Sequence, residues 1–301
     1  MPSTIESGFH LADNKDYMLG RGHNAACRLN LQFFLWKESL RFNIHPSIPV
    51  ASSPIIADLG TGTAIWLLDV AREFPTAILD GYDIDLSNTP STQWLPRCLT
   101  LLHWDLFDPV PENLVGKYDI IHLRLLILVV QNSDPVPIIQ KVARMLKPGG
   151  YIQWDDLNYP DTHVRKADPT LATPAFDRLR QFVYSSGRHD WVLNLPVLLA
   201  QNGFAEPHLE HFQDRVELAT ANGEQHLATM DEFVLSLEKK GMWDDAENIR
   251  QLLRDVALEA VHGVALSMPR VVVIARKLIF STTRCLNPGG LSILCAVCEG
   301  A

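Results

Sequence analysis

Ile55-Ile56-Ala57-Asp58-Leu59-Gly60-Thr61-Gly62-Thr63-Ala64 decides how this chain is read. A short apolar run, fit for a buried strand, leads into an acidic residue and two glycines at alternate positions. An apolar, helix-competent stretch follows at once, over 64–74. Strand, glycine-rich turn and helix in that order form the ligand-gripping corner of a nucleotide-binding α/β sheet. Without a Cβ, Gly60 and Gly62 let the backbone turn sharply and lie against a ligand. Small residues also make ordinary tight turns, so the weight falls on the order of the later segments.

Outward from that corner the chain alternates strand and helix, the pattern of a parallel sheet covered on both faces. The spacing predicts strands over 55–58, 77–83, 100–104, 118–123 and 150–154. Residues 138–146 have helical periodicity and stop at Lys147-Pro148-Gly149-Gly150, a basic residue followed by helix breakers. A strand pair over 208–216 and 271–278 finishes the sheet, with a long amphipathic stretch over 230–266 between its members. Helices are also expected over 174–185 and 195–202. On the N-terminal side 17–43 reads as helix, with Leu29, Phe33, Trp36 and Leu40 at three- and four-residue steps. The organisation expected is a helical cap over 1–50 and an α/β domain over 51–280. That domain carries lid insertions at about 161–190 and 219–268, and a tail over 281–301 follows it.

With 301 residues and 47% hydrophobic content the chain can bury a large core. A formal net charge of -9 leaves a mildly acidic surface, which argues against a nonspecific nucleic-acid partner. No apolar run is long enough to span a bilayer, and the start has no basic-then-apolar leader pattern. Five cysteines give no disulfide framework, and a single Cys295-x-x-Cys298 in the tail lacks the second pair of a zinc site. The expectation is a cytoplasmic protein with no membrane partner. The apolar face of the first helix offers a surface for a homodimer.

Asp83 ends the second strand about twenty residues past the glycines, where a carboxylate can accept both hydroxyls of a ribose. Asp85 competes for that role. Asp105 with Leu106 ends the third strand, where a carboxylate can accept from an exocyclic adenine amine beside an apolar wall. Singly, each acid reads as a solvated loop residue; three strand ends with acids (Asp58, Asp83, Asp105) read as a site. A nicotinamide fingerprint would want a third glycine where this chain has Ile65. No zincin histidine pair and no lysine of a phosphate loop is present, and Ser185-Ser186-Gly187 lacks the flanks of a hydrolase nucleophile.

Asp58-Leu59-Gly60-Thr61-Gly62, Gly81-Tyr82-Asp83, Trp104-Asp105-Leu106, Tyr118-Asp119-Ile120-Ile121-His122 and Leu146-Lys147-Pro148-Gly149-Gly150 resemble, in this order, the motifs of class I S-adenosylmethionine-dependent methyltransferases. More narrowly, Asp16-Tyr17-Met18-Leu19-Gly20-Arg21, Arg28-Leu29-Asn30-Leu31-Gln32, His122-Leu123-Arg124-Leu125-Leu126 and Gly150-Tyr151-Ile152-Gln153-Trp154-Asp155 resemble fungal natural-product methyltransferases and relatives of a regulator of secondary metabolism. The resemblance implies a Rossmann-like, mostly parallel seven-stranded sheet with an antiparallel final strand. It also implies S-adenosyl-L-methionine as cofactor, with Asp58 among the residues that bind it, Gly60 and Gly62 near its methionine part, Asp83 at the ribose, and Asp105 and Leu106 at the adenine. Tyr17 and Arg21 would close over it from the cap.

Methyl transfer asks the protein mainly to hold the acceptor at near-attack distance and exclude water. Thiol and phenol acceptors need a base, and His122 is the first choice by position, with Asp155 beside it. A structural histidine at a strand end is the equal alternative. Trp154 and His163 are candidates to border the acceptor, with His189 and His262 behind them. The function implied is methylation of an O, S or N atom of a small, apolar secondary metabolite. Two other readings stand beside it: a cyclase using the bound sulfonium without transfer, and a regulator acting through a protein partner.

Overall fold

The computed structural model describes residues 8–12, 17–184, 187–279, 284–286 and 292–294. In chain order its main elements are α1 (His23–Leu40), β1 (Ile55–Leu59), α2 (Ile65–Glu73), β2 (Ile78–Asp83), β3 (Leu99–His103) and β4 (Tyr118–Arg124). Next come α3 (Val136–Met145), β5 (Leu146–Leu157), β6 (His163–Lys166), α4 (Pro174–Val183), α5 (Leu195–Gln201) and β7 (Phe204–Phe212). The lid helices α6 (Ala219–Lys239) and α7 (Trp243–Ala260) precede β8 (Val264–Ser267) and β9 (Arg270–Lys277). A small pair, Arg284–Leu286 with Ser292–Leu294, comes after β9; Cys295 and Cys298 lie outside the described residues.

Seven strands form one sheet in the order β3-β2-β1-β4-β5-β9-β7, parallel from β3 to β5 and antiparallel at β5–β9 and β9–β7. This is the mostly parallel seven-stranded sheet with an antiparallel final strand that the resemblance implied; the strand–helix alternation by itself gave only its parallel part. Its central strands are nearly continuous in apolar residues because both faces are covered: Ile56, Ala57 and Leu59 of β1 and Ile120, Ile121 and Leu123 of β4 are all buried. On α3, Ile138, Ile139, Val142 and Met145 form one buried stripe at helical spacing. The strand order reverses between β1 and β4, and in open sheets of this kind the ligand crevice lies above the carboxyl ends at that reversal. Asp58 and His122 are register partners there.

Three expectations are corrected. Lys147-Pro148-Gly149-Gly150 is a helix stop only in the sense that α3 ends at Met145. These residues belong to β5, where the register with β4 shifts between Tyr118 and Ile120, and a Cβ on Gly150 would lie 3.0 Å from two carbonyl oxygens of that strand. The seventh-placed strand begins at Phe204, four residues before the expected start. Glu206 at φ 51° and the following Pro207 interrupt the alternation at a register shift, so only the later part looked like strand. Finally, the stretch expected as amphipathic over 230–266 begins at Ala219 and ends in a strand: β8 pairs antiparallel with β6 in a separate two-stranded sheet. Gly223 obscured the start of α6. It is glycine because α6 lies on β8, where a Cβ would stand 3.3 Å from the Ala265 Cβ.

Candidate active site

A cavity of about 1270 Å³ opens above the carboxyl ends of β1, β2 and β4. Its floor is the glycine turn. The Gly60 and Thr61 amides both donate to the Tyr82 carbonyl, at 2.8 and 2.9 Å, which folds the turn back over β2. Gly60 at φ 77° and Gly62 at φ 57° hold the left-handed backbone that favours glycine. A Cβ on Gly60 would stand 3.2 Å from Leu126 across the crevice.

Asp83 faces the same space. Its carboxylate accepts the Gly62 amide at 2.8 Å and the Asp85 amide at 3.1 Å, and burial raises its pKa despite those bonds. It therefore anchors the turn while retaining unused acceptor capacity towards the cavity. Asp85 instead pairs with Arg21 at 3.2 Å, so the Arg21 guanidinium, lying over the Tyr17 ring, is held by a carboxylate of the protein itself. Tyr17, Leu19, Gly20 and Arg21 line the rim from the cap side. Asp105, Leu106 and Trp104 line the β3 side, with Asp105 accepting the Phe107 amide at 2.8 Å. The buried Trp104 Nε1 and Thr61 Oγ1 have no hydrogen-bond partner among the described residues.

His122 sits at the reversal of strand order, between two acids. Its Nδ1 donates to Asp58 at 2.7 Å and its Nε2 to Asp155 at 3.1 Å, and its ring stacks on Trp66 at 3.8 Å and 5°. Burial opposes a charge on this imidazole, but Asp155 and Asp58 outweigh it and raise its pKa. Asp155 is fully buried. Desolvation alone would raise its carboxyl, yet Arg124, donating at 2.6 Å, and His122 hold it below the usual carboxylate range. Arg124 in turn lies over the Trp36 ring, 4.9 Å from its centroid. The group is a charged column from crevice to core.

Several expected site residues lie elsewhere. Trp154 is fully buried, packed edge-on against Trp191, and does not line the cavity; it belongs to the core. His163 is on β6 with its ring bonded to the Asp161 carbonyl at 2.7 Å, outside the cavity lining. His189 is buried against Tyr159 and Phe9, and desolvation pushes it down to about 3. His262 is exposed past the end of α7. Residues not singled out in the sequence take part instead: Trp66 beneath His122, Arg28 paired with Glu232, and His226 on α6. Only Arg28 carried a signal, since it opens one of the family-like motifs of the first helix.

Residues 23–226 match the family described as a methyltransferase domain. The chain belongs to that family. The methyltransferase is 31% identical to the methyltransferase grgD of a Penicillium species, over 66% of this chain and 71% of the relative. It is 35% identical to the secondary metabolism regulator LAE1 of Hypocrea atroviridis, over 39% of this chain and 36% of that protein. It is 34% identical to the N-methyltransferase tcpN of Claviceps purpurea, over 34% and 37% respectively. The last two matches thus span about a third of each relative. The methyl donor of this methyltransferase is S-adenosylmethionine, and the crevice fits it: glycines clear the floor, an acid faces it from β2, and the unpartnered Trp104 and Thr61 polar atoms line the wall. Among the described residues no helix is long and apolar enough to cross a membrane.

Proposed function

We propose that this methyltransferase moves the methyl group of S-adenosylmethionine to a small, largely apolar secondary metabolite. The observation that carries the reading is one continuous cavity with two linings. Asp58, Asp83 and Asp105 stand at the strand ends, while Leu157, Leu179, Met230, Leu266 and Met268 line it from later in the chain. The cavity's volume exceeds what drug-sized ligand sites usually need. Likeness to the methyltransferase grgD and the N-methyltransferase tcpN supports methyl transfer as the reaction.

Gly60 and Gly62 would hold the methionine part of the donor, Asp83 the ribose, and Asp105, Leu106 and Trp104 the adenine. Tyr17 and Arg21 would close the rim. Bound there, the donor supplies a methyl carbon activated by positive sulfur. The chain's own work is to orient the acceptor and keep water out. His122 is assigned to positioning: with both nitrogens committed to carboxylates, its ring has no free acceptor for a substrate proton. Asp155 acts through it. Likeness to LAE1 favours a regulatory role as a second reading.

Titration calorimetry of the full chain with S-adenosylhomocysteine tests the first half of the proposal, and mass detection of a methylated small molecule in a metabolite extract tests the second. Binding and a mass gain of one methyl group are expected. Binding of nicotinamide dinucleotides in place of S-adenosylhomocysteine would overturn the assignment of the crevice.

A further inference from the structure

Among the described residues, every carboxylate lining the cavity comes from the ends of β1, β2 and β3: Asp58, Asp83, Asp85 and Asp105. From β5 onward the described residues contribute none to it. The polar side chains it does contribute there include Tyr159, Arg188, Gln225, His226 and Thr229. A cationic acceptor would meet no compensating charge in this part, and burying an unpaired ammonium is costly.

His226 stands out among these groups. It shares a face of α6 with Thr229 and Met230, at three- and four-residue spacing, and that face lines the cavity. One turn earlier, at Gly223, α6 lies close against β8: a Cβ there would stand 3.3 Å from the Ala265 Cβ. Gln225 and Thr229 are satisfied by one another at 3.1 Å. No hydrogen bond among the described residues engages the His226 ring. Of the two histidines lining the cavity, His122 is bonded through both nitrogens and His226, among the described residues, through neither.

Resting on the methyltransferase reading above, we propose that His226 takes the acceptor's proton, and that the acceptor is a neutral, largely apolar molecule presenting a weakly acidic O–H, S–H or N–H group. Burial pushes the imidazole down to about 4, against Asp214 and with Arg270, so at neutral pH the ring is uncharged and can accept. The acceptor's X–H bond breaks and its proton passes to a His226 ring nitrogen. The acceptor's lone pair bonds the methyl carbon, and the electron pair of the broken carbon–sulfur bond stays on sulfur, leaving neutral S-adenosylhomocysteine. A weak base suffices because the acceptor proton becomes strongly acidic as its heteroatom bonds to carbon. The imidazolium then returns its proton to water.

The test uses the full chain, with His226→Ala, His226→Gln and, as a surface control, His262→Ala. The probes are 4-pentylphenol, 1-octanethiol and octylamine, the last a cation at neutral pH. Calorimetry in saturating S-adenosylhomocysteine reads probe binding, and S-adenosylhomocysteine release from S-adenosylmethionine reads turnover. The phenol or the thiol should bind at least about tenfold more tightly than octylamine. Both His226 variants should lose about a hundredfold or more in kcat with little change in KM or in S-adenosylhomocysteine affinity, and glutamine should not rescue. His262→Ala should match the wild type. Octylamine binding as tightly as the neutral probes, or wild-type kcat in His226→Gln, would overturn the proposal. So would neutral probes that fail to bind, or that bind without release, in a protein that does bind S-adenosylhomocysteine. A protein that does not bind S-adenosylhomocysteine would instead bring down the crevice assignment, and this proposal with it.

Discussion

Arg28 of α1 and Glu232 of α6 form a buried two-point ion pair, Nε to Oε1 at 2.7 Å and Nη2 to Oε2 at 3.0 Å. The same carboxylate accepts the Gly20 amide at 3.1 Å. One acid therefore ties the lid helix both to the first helix and to the segment that rims the crevice. Removing one partner strands a buried charge, at a cost of about 3–5 kcal/mol, whereas replacing both by apolar groups of similar size is often neutral. Urea denaturation should show Glu232→Gln destabilised by about that amount and Arg28→Met/Glu232→Leu restored towards the wild type. A double variant as unstable as the single one would mean that the pair's geometry, rather than its charge balance, matters.

Asp156 makes stability fall as pH rises. It is fully buried, accepts the Leu157 amide at 2.9 Å and the Trp154 indole at 3.4 Å, and desolvation pushes its carboxyl up to about 7. Unfolded, it would titrate near the ordinary value of about 4. Between those values the native state binds more protons than the unfolded one. Stability from this group is therefore present at low pH, declines by up to about 1.4 kcal/mol per pH unit across the window, and levels off above about 7. Asp155, depressed in the native state, acts in the opposite sense and at lower pH. Denaturation from pH 5 to 8 should show Asp156→Asn gaining on the wild type as pH rises; parallel curves would refute the burial argument.

Asp83→Asn should weaken S-adenosylhomocysteine binding by about 1–3 kcal/mol, roughly five- to 150-fold, because hydrogen bonds to a charged acceptor are lost. The turn should loosen as well, since the Gly62 amide loses a carboxylate acceptor. Calorimetry measures the first effect and amide exchange at Gly62 the second. Unchanged affinity would move the ribose contact to Asp85.

Gly81 permits the close packing of β2. A Cβ there would stand 2.7 Å from Leu101 and 2.8 Å from Leu67, both on neighbouring elements. Overpacking of this kind costs about 1–3 kcal/mol. Gly81→Ala should therefore lower the thermal midpoint by several degrees, visible by circular dichroism, while a midpoint within a degree of wild type would show that both leucines can yield.

His122 shows where reading the chain reached its limit. Its place at the end of β4 was legible from the apolar run before it, and so was the choice between base and structural histidine. The choice itself depended on Asp58 and Asp155, each more than thirty residues away and brought within hydrogen-bond reach by the sheet register. Trp154 and His163 illustrate the same limit in reverse. An aromatic after a strand and a histidine in an insertion suit an acceptor wall, yet one faces the core and the other turns to its own loop. His226 was hidden because the first turns of α6 hold glycine and polar residues without an apolar stripe.

Sequence by itself determined the sheet, the glycine turn and the acids at its strand tips, because these follow from local rules: apolar runs, residues without a Cβ, and side chains at strand ends. Tertiary structure alone decided which ring nitrogens are occupied, which helix roofs the cavity and where the negative charge stops. Those depend on segments far apart in the chain coming within a few ångströms, and no local pattern encodes that distance.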